Sequence, residues 1–375
     1  MASLIQVKAM CKAMSDLKID ITLCLQGNST KNHLIINGYP YKLDIRKQLV
    51  NNRFDKYINI QSIKKVIDET EPDLIFLRSP LLLKQVKSSK KPIIIELHNN
   101  KLHQGYNWLD KYWSHFLIKM AKTEQILKVV CISGALNDYW INKGIPSEKV
   151  IIAHDGIDSQ MFQKELSQLN ARAKLSLPLN RQIVTYTGRL YKNRKIENII
   201  RLAEKYKNAF FLVVGGPDQQ SNEYKNMAES YGLKNITFTG QIPHDQIPAY
   251  LYASDVLLGL WSSEVPTMNY CSPLKVFEYM AVGRIIVAQG FPTIKEVLRH
   301  NHNAILVEPD SLKDLIQKTG EALKLNYPSA MALQARNDAF NYYTWKQRVK
   351  KILSPSIINP LPEKMYTHNE YYYHR

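Results

Sequence analysis

Residues 182–217, QIVTYTGRLYKNRKIENIIRLAEKYKNAFFLVVGGP, decide the fold. The run QIVTYTGRL (182–190) is β-branched and apolar on both faces, as a strand covered by helices on both sides of a sheet must be. IENIIRLAEKY (196–206) repeats its apolar residues at helical spacing, and FFLVVGGP (210–217) is a second strand ending in glycines. Strand, helix and strand in close succession predict a parallel pair joined by a crossover helix.

Outward from this unit the same alternation recurs. Strands are expected in DITLCL (20–25), DLIFLRS (73–79), PIIIELH (92–98), KVVCIS (128–133) and VIIAHDG (150–156). A further set lies in ITFTGQI (236–242), DVLLGLW (255–261), RIIVAQG (284–290) and AILVEP (304–309), with a helix in SLKDLIQKTGEAL (311–323). The pattern predicts an α/β protein of two doubly wound domains, with the break in the polar stretch FQKELSQLNARAKLSLPLNR (162–181). The front departs from the pattern. SLIQVKAMCKAMSDL is apolar at helical spacing and precedes any strand, so the amino-terminal domain is expected without its usual first strand and glycine-rich turn.

The 375 residues suffice for two domains, and 45% hydrophobic with 10% aromatic content supports buried cores. Four dispersed cysteines (Cys11, Cys24, Cys131, Cys271), without CxxC spacing or histidine partners, argue against a disulfide framework or zinc site. No run has the length of an apolar membrane span, and the first residues lack a signal-peptide profile, so a cytoplasmic protein is expected. The net charge of +17 invites a nucleic-acid reading. The excess is spread over both halves without a basic tail or reader module, so nucleic acid is not expected as a partner.

In open parallel sheets, ligands bind beyond the carboxyl ends of the strands. Gly188, in TGRLYKNRK (187–195), permits a sharp turn, and Arg189, Arg194 and Lys195 place cations near the next helix start. Such cations gain nothing from the helix, whose amino end prefers anions. They gain from a phosphate shared with it; a solvated loop is the alternative. Gly215 and Gly216 in VVGGPD (213–218) permit close backbone approach or simply a turn. Gly240 and Ile242 offer strand-exit backbone groups to the edge of a planar base, although packing explains most of that segment. In NYCSPLKVFEYMAVG (269–283), Ser272 and Pro273 read as N-cap and first helical residue, leaving first-turn amides at Leu274 and beyond free for an anion. Lys275 and Glu278 admit two readings: an i,i+3 ion pair worth about 0.2–0.5 kcal/mol, or a phosphate ligand and a ribose ligand. The helix stripe is expected to be Leu274, Phe277 and Ala281.

Six collinear phrases, VCISGALNDYW, VIIAHDGIDSQMF, YTGRLYKNRKIENII, FLVVGGP, NITFTGQIPHDQIPAYLYASD and SPLKVFEYMAVG, resemble the retaining glycosyltransferases of family four (glycosyl transferases group 1). The likeness runs from ELHNN (96–100) to YTWKQRVKKIL (343–353). It implies the GT-B fold, two Rossmann-like domains facing across a cleft. Residues 1–165 would form the acceptor domain, 178–342 the nucleotide-sugar domain, and 343–375 a helix and tail packing back on the first domain.

By the resemblance, Arg189 and the cation at Arg194 or Lys195 contact the donor diphosphate. Lys275 and the amides after Ser272 and Pro273 join them, Glu278 takes the ribose, and backbone near Gly240 and Ile242 takes the base, with Gly216 in the donor loop. His98 would approach the transferred sugar; a hydrogen-bonded strand-end histidine is its alternative. Two departures stand out. The family's sugar-touching glutamate, eight residues before the ribose glutamate, is Tyr270 here, although some relatives with an SPLK-type loop also lack it. The missing first strand removes a region that helps line the cleft.

The expected reaction is transfer of a sugar from a nucleoside-diphosphate sugar to a glycan or lipid-linked acceptor hydroxyl, with retention. Arg189, Lys275 and the helix end would stabilise charge on the leaving diphosphate. No DxD-like pair is evident, so neither metal nor cofactor is expected. WLDKYWSHFLIKMAK (108–122) interleaves aromatics with lysines, and KQVKSSKK (84–91) adds charge. Together they offer a face for anionic lipid on the inner side of a membrane, or core packing. A degenerate non-catalytic relative and a sugar-nucleotide epimerase on the same fold are the rival functions.

Overall fold

The computed structural model describes residues 2–27, 42–47, 55–103, 105–163, 166–325 and 328–354. The tail HNEYYYHR (368–375), which has no reading in the sequence, lies outside them. The chain divides into two compact units, one of Met1–Ile132, Leu136–Ala153 and Lys346–Arg375, the other of Ser133–Ala135 and His154–Trp345.

The first unit carries a four-stranded parallel sheet of β3 (Ile75–Leu77), β4 (Ile93–Leu97), β5 (Ile126–Cys131) and β6 (Val150–Ile152), in that spatial order. β4 is buried along its whole length, which is why its sequence shows no polar alternation. Trp140 is also buried, and its indole N–H donates to the Asn99 carbonyl (3.2 Å). Ahead of this sheet, β1 (Thr22–Gly27) pairs in parallel with β2 (Lys42–Lys47), and the first described element is the helix Ala2–Ser15. Among the described residues, no strand joins the two-stranded and four-stranded sheets. β2, KLDIRK, was not legible as a strand: charged residues fill every other position and leave Leu43 and Ile45 as its whole apolar signal.

The second unit is a six-stranded parallel sheet of β7 (Ile183–Thr187), β8 (Phe210–Val214), β9 (Ile236–Phe238), β10 (Val256–Gly259), β11 (Ile285–Gln289) and β12 (Ile305–Val307). Its order, β12-β11-β10-β7-β8-β9, reverses direction between β7 and β10. That is the doubly wound arrangement, and the reversal is where such sheets bind ligands. β7, β8, β10 and β11 are buried throughout. One core layer joins Tyr186, Ile199, Ile200 and Phe211; the opposite layer joins Leu257, Trp261, Phe277 and Met280.

The boundary expected in 162–181 falls instead between Ala153 and His154. The polar stretch is anchored in the second unit by the buried Arg172, on the helix Gln168–Lys174. Its guanidinium donates to Asp255 (2.5 Å) and to the Ala253 carbonyl (2.9 Å) at the entrance of β10. The last described helix, Trp345–Ile352, contributes Arg348 to the first unit, where it donates to Glu96 on β4 (3.0 Å) and to the Ala153 carbonyl (3.2 Å).

Candidate functional site

At the reversal point, β7 leads into Gly188 and β10 leads, through a loop, into the helix Leu274–Ala281. Tyr279 pins that helix over the two strand ends. Its hydroxyl accepts from the Thr187 amide (2.8 Å) and faces the Leu258 carbonyl (3.4 Å), and burial raises its pKa. Sequence reasoning missed Tyr279; its signal is the i+4 spacing from Lys275, which puts both side chains on one helix face.

The N-cap of this helix is Pro273, not Ser272. The Ser272 hydroxyl accepts from the Asp155 amide (3.0 Å), so it fastens a neighbouring loop and leaves the helix amides uncapped by a side chain. The stripe is broader than expected: Phe277 and Ala281 are buried together with Val276, Tyr279 and Met280, and Leu274 is only half-buried.

Lys275 does not pair with Glu278. Its Nζ is shut off from solvent and makes no hydrogen bond. It lies 4.0 Å from the Tyr186 ring centroid and 5.1 Å from that of Trp261. A Cβ placed on Gly188 would stand 3.2 Å from it, so the glycine leaves room at the ammonium. Burial, reinforced by the Arg194 guanidinium nearby, pushes its pKa well below the lysine value of 10.5; Glu278 and Cys271 act in the other direction. A buried ammonium without a counter-ion is costly and calls for an explanation.

The loop after Gly188 resolves which cation stands beside it. Lys195 is held in an ion pair with Glu264, in a left-handed backbone conformation, whereas Arg194 raises the positive field at Lys275 and has no side-chain partner among the described residues. Arg189 is exposed; its guanidinium donates to the Tyr191 hydroxyl (2.8 Å) and lies over that ring (5.5 Å). The structure therefore brings Gly188, Arg194 and Lys275 together, and turns Lys195 and, in this conformation, Arg189 elsewhere.

Beyond β8, Gly215 approaches Gly188 so closely that a Cβ would sit 1.8 Å from the Gly188 oxygen. The Gly216 carbonyl accepts from Leu190 (3.0 Å) and the Gly240 carbonyl from Gly215 (3.0 Å), so both groups tie loops together. Gly240 has φ +73°, and Asp218 accepts from the next amide, Gln241 (2.8 Å). The partly buried Ile242 side chain packs against the apolar cluster of Ile183, Phe210, Leu212 and Val214, while its backbone makes no hydrogen bond among the described residues.

Glu278 is engaged by a residue that sequence reasoning missed. His244, two residues past Ile242, meets Oε1 of Glu278 through Nε2 (2.7 Å), and this hydrogen bond is the main cause that raises its pKa above 6.5. Its sequence signal was its place on the loop already singled out for Gly240 and Ile242. At position 270, the tyrosine backbone carbonyl accepts from the Ser133 hydroxyl (2.9 Å).

His98, in the first unit, is paired through Nε2 with Glu96. Glu96 is buried, which alone would raise its pKa; the Arg348 guanidinium, the His98 hydrogen bond and Arg78 more than reverse this and hold it far below the carboxylate range. No group of three or more potential metal ligands occurs among the described residues.

The family model described as Glycosyl transferases group 1 matches residues 167–339, and that described as Glycosyltransferase Family 4 matches residues 5–161. A glycosyltransferase of Methanocaldococcus jannaschii is 26% identical over 67% of this chain and 62% of its own length. The GPI3 subunit of the phosphatidylinositol N-acetylglucosaminyltransferase of Saccharomyces cerevisiae is 24% identical over 66% of this chain and 54% of its own length. The chain thus spans about half to two-thirds of the length of these curated relatives. Among solved structures, a Rickettsia africae glycosyltransferase has a TM-score of 0.77 at 17% identity, covering 95% of this chain and 94% of its own. The Anabaena protein HepE, in complex with UDP and glucose, has a TM-score of 0.72 at 17% identity, covering 93% and 95%. With two family models matching successive parts of it and two Rossmann-like parallel sheets, the chain belongs to the glycosyl transferases of group 1 and family 4 and has the GT-B fold.

Proposed function

We propose that this chain transfers a sugar from a nucleoside-diphosphate sugar to an acceptor hydroxyl, with retention at the anomeric carbon. The observation that carries the reading is Lys275, a buried ammonium without a partner beside Gly188 and Arg194. A diphosphate supplies the missing charge, with first-turn amides from Leu274 onward as further donors. Glu278 accepts from the ribose diol, and the free backbone groups of Ile242 pair with the edge of the base. His98 is the candidate group at the transferred sugar.

No side-chain nucleophile is assigned, because position 270 is a tyrosine and Glu278 is committed to the ribose. The reaction is therefore a front-face displacement. The bond from the anomeric carbon to the diphosphate oxygen breaks, the acceptor oxygen bonds the same face, and the departing diphosphate takes the acceptor proton. Lys275, Arg194 and Arg189, once Arg189 swings from Tyr191, stabilise the charge that develops on the diphosphate. These cations stand where a divalent metal would otherwise act, so the reaction is proposed to need none; full transfer in EDTA is the expected result, and loss restored by manganese would oppose it.

Acceptor docking is assigned to the helix Asn107–Ala121 of the first unit. Trp108 (66% exposed) and Tyr112 (44%) face solvent, with Lys84 donating to the Tyr112 hydroxyl (2.9 Å) and Lys87 over the Phe116 ring. An exposed aromatic and cationic face suits an anionic lipid surface carrying a lipid-linked acceptor, and no described helix is long and apolar enough to cross a membrane. Salt-sensitive flotation with phosphatidylglycerol vesicles, abolished by W108A/K111E, is expected; vesicle binding indifferent to both would remove this part.

The deciding assay incubates a panel of nucleoside-diphosphate sugars with glycan and lipid-linked acceptors. Transfer by the wild type and none by K275A supports the proposal. Tyr270 favours one other reading, a donor-binding protein without transfer, and tight nucleotide binding with no turnover on any acceptor would favour it.

A further inference from the structure

Glu278 has two basic residues in its surroundings, Lys275 and His244. On its own helix, Lys275 has no hydrogen bond, and from the strand-exit loop His244 occupies Oε1, while Oε2 makes no hydrogen bond among the described residues. His244 begins the short turn His244–Gln246, which follows directly on Gly240–Pro243. The backbone assigned to the base and the imidazole that touches Glu278 thus belong to one continuous segment, held at its start by the Gly215–Gly240 and Gln241–Asp218 hydrogen bonds.

We propose that His244 is a positioning residue for the donor: its neutral ring aims the Glu278 carboxylate at the ribose diol, and its protonation weakens that carboxylate as an acceptor. The inference rests on the proposed role of Glu278. A carboxylate has lone pairs enough for an imidazole N–H and two hydroxyls, so the bond to His244 is compatible with holding the diol. Neutral imidazole leaves the full negative charge available. Imidazolium makes a charge-assisted bond, roughly twice as strong, and draws the carboxylate away from uncharged hydroxyls. The groups acting on the ring are Glu278 from the helix, Asp245 from its own turn and Asp158 from a neighbouring loop, all favouring the proton, against partial burial. Glu278 also acts electrostatically on Lys275, without a hydrogen bond between them. The ring therefore takes up its proton above the ordinary histidine value of 6.5.

The experiment titrates UDP, ADP and GDP, and the 2′-deoxy counterpart of whichever binds, into the full-length protein by calorimetry from about pH 5.5 to about pH 8.5. The wild type is expected to bind the ribonucleotide about tenfold more weakly at the acid end. The deoxy compound carries the same titrating phosphate, and it should show a clearly smaller acid loss. H244Q keeps an N–H donor but cannot titrate; it should hold the neutral-pH affinity within about threefold and lose the ribose-dependent acid limb. H244A should bind the ribonucleotide about tenfold more weakly at neutral pH, and the deoxy compound nearly as the wild type does. An acid limb that persists in H244Q, or H244A binding like the wild type, would overturn the proposal. Failure of the underlying reading looks different: E278A would then leave ribonucleotide affinity unchanged, whereas a loss in E278A with none in H244A overturns the role of His244 alone.

Discussion

Lys275 shows what a single residue can and cannot disclose. Its spacing from the strand and its place in the first helical turn allow a phosphate ligand, and the same spacing offers Glu278 as an ordinary ion-pair partner. Packing removes the ion pair: the ammonium lies near the Tyr186 and Trp261 rings with no hydrogen bond, and Glu278 turns to His244, 34 residues earlier in the chain. Sequence spacing ranks local partners and is blind to one that arrives from another loop. The unpaired charge also has a stability consequence. Replacing Lys275 by Met retains the side-chain volume and removes the buried charge, so the free protein should gain about 1–3 kcal/mol. The same change should cost nucleoside diphosphate affinity about a hundredfold, since a charge contact in a desolvated site is lost. Calorimetric unfolding with and without UDP reads both effects; a less stable K275M that still binds UDP would show that Lys275 is structural. His244 carries a separate sign. Its folded pKa is raised, so the His244–Glu278 pair contributes stability fully below the ordinary value of 6.5 and loses it as pH rises through the higher folded value. H244Q should therefore narrow the stability difference between acid and alkaline conditions, as read by urea midpoints.

At the scale of elements, the buried parallel strands were legible because burial on both faces strips their sequences of polar residues. β8 and β10 are the clearest, with no polar side chain, whereas β4 keeps Glu96 and β7 keeps Thr185 and Thr187. β2 was not legible because its sequence, KLDIRK, carries four charged residues among six. The loops between strands were readable as glycine positions but not as contacts. VVGGPD admitted a plain turn or a ligand approach, and the fold shows a third use, the close approach of one strand-exit loop to another. Gly215 has φ +143°, and any Cβ would meet the Gly188 oxygen at 1.8 Å, backbone against backbone. Gly232 also has a positive φ, +65°, but nothing stands within 4 Å of its missing Cβ. Gly232→Ala should therefore cost only the left-handed penalty, about 1–2 kcal/mol. Gly215→Ala should cost more than about 3 kcal/mol and lower UDP affinity, because Gly188 must move. Urea unfolding followed by tryptophan fluorescence compares the two; equal costs would mean that the loops at β7 and β8 separate without penalty.

At the scale of the whole chain, order along the sequence was legible, in that alternation of strands and helices announced two doubly wound units. The division between them was not. The polar stretch 162–181 looked like a linker, but one buried arginine, Arg172, holds it to the second sheet. Likewise nothing local in YTWKQRVKKIL announces that Arg348 reaches a strand some 250 residues earlier, within the first unit, to meet Glu96. Both side chains are almost fully buried, and His98 and Arg78 share the same carboxylate. Removing one member of such a pair leaves an uncompensated charge, so Glu96→Ala should destabilise the first unit by about 3–5 kcal/mol. Glu96→Gln retains acceptor capacity without charge and should cost less. The acid limb separates charge from packing. The folded pKa of Glu96 lies far below the ordinary 4.5, so its contribution is fully present above 4.5 and is lost as pH falls towards the folded value. Wild-type urea midpoints should therefore fall on acidification over that window, and those of E96Q should fall less steeply. Parallel acid limbs in the two proteins would show that Arg348 holds the last described helix by shape rather than by charge.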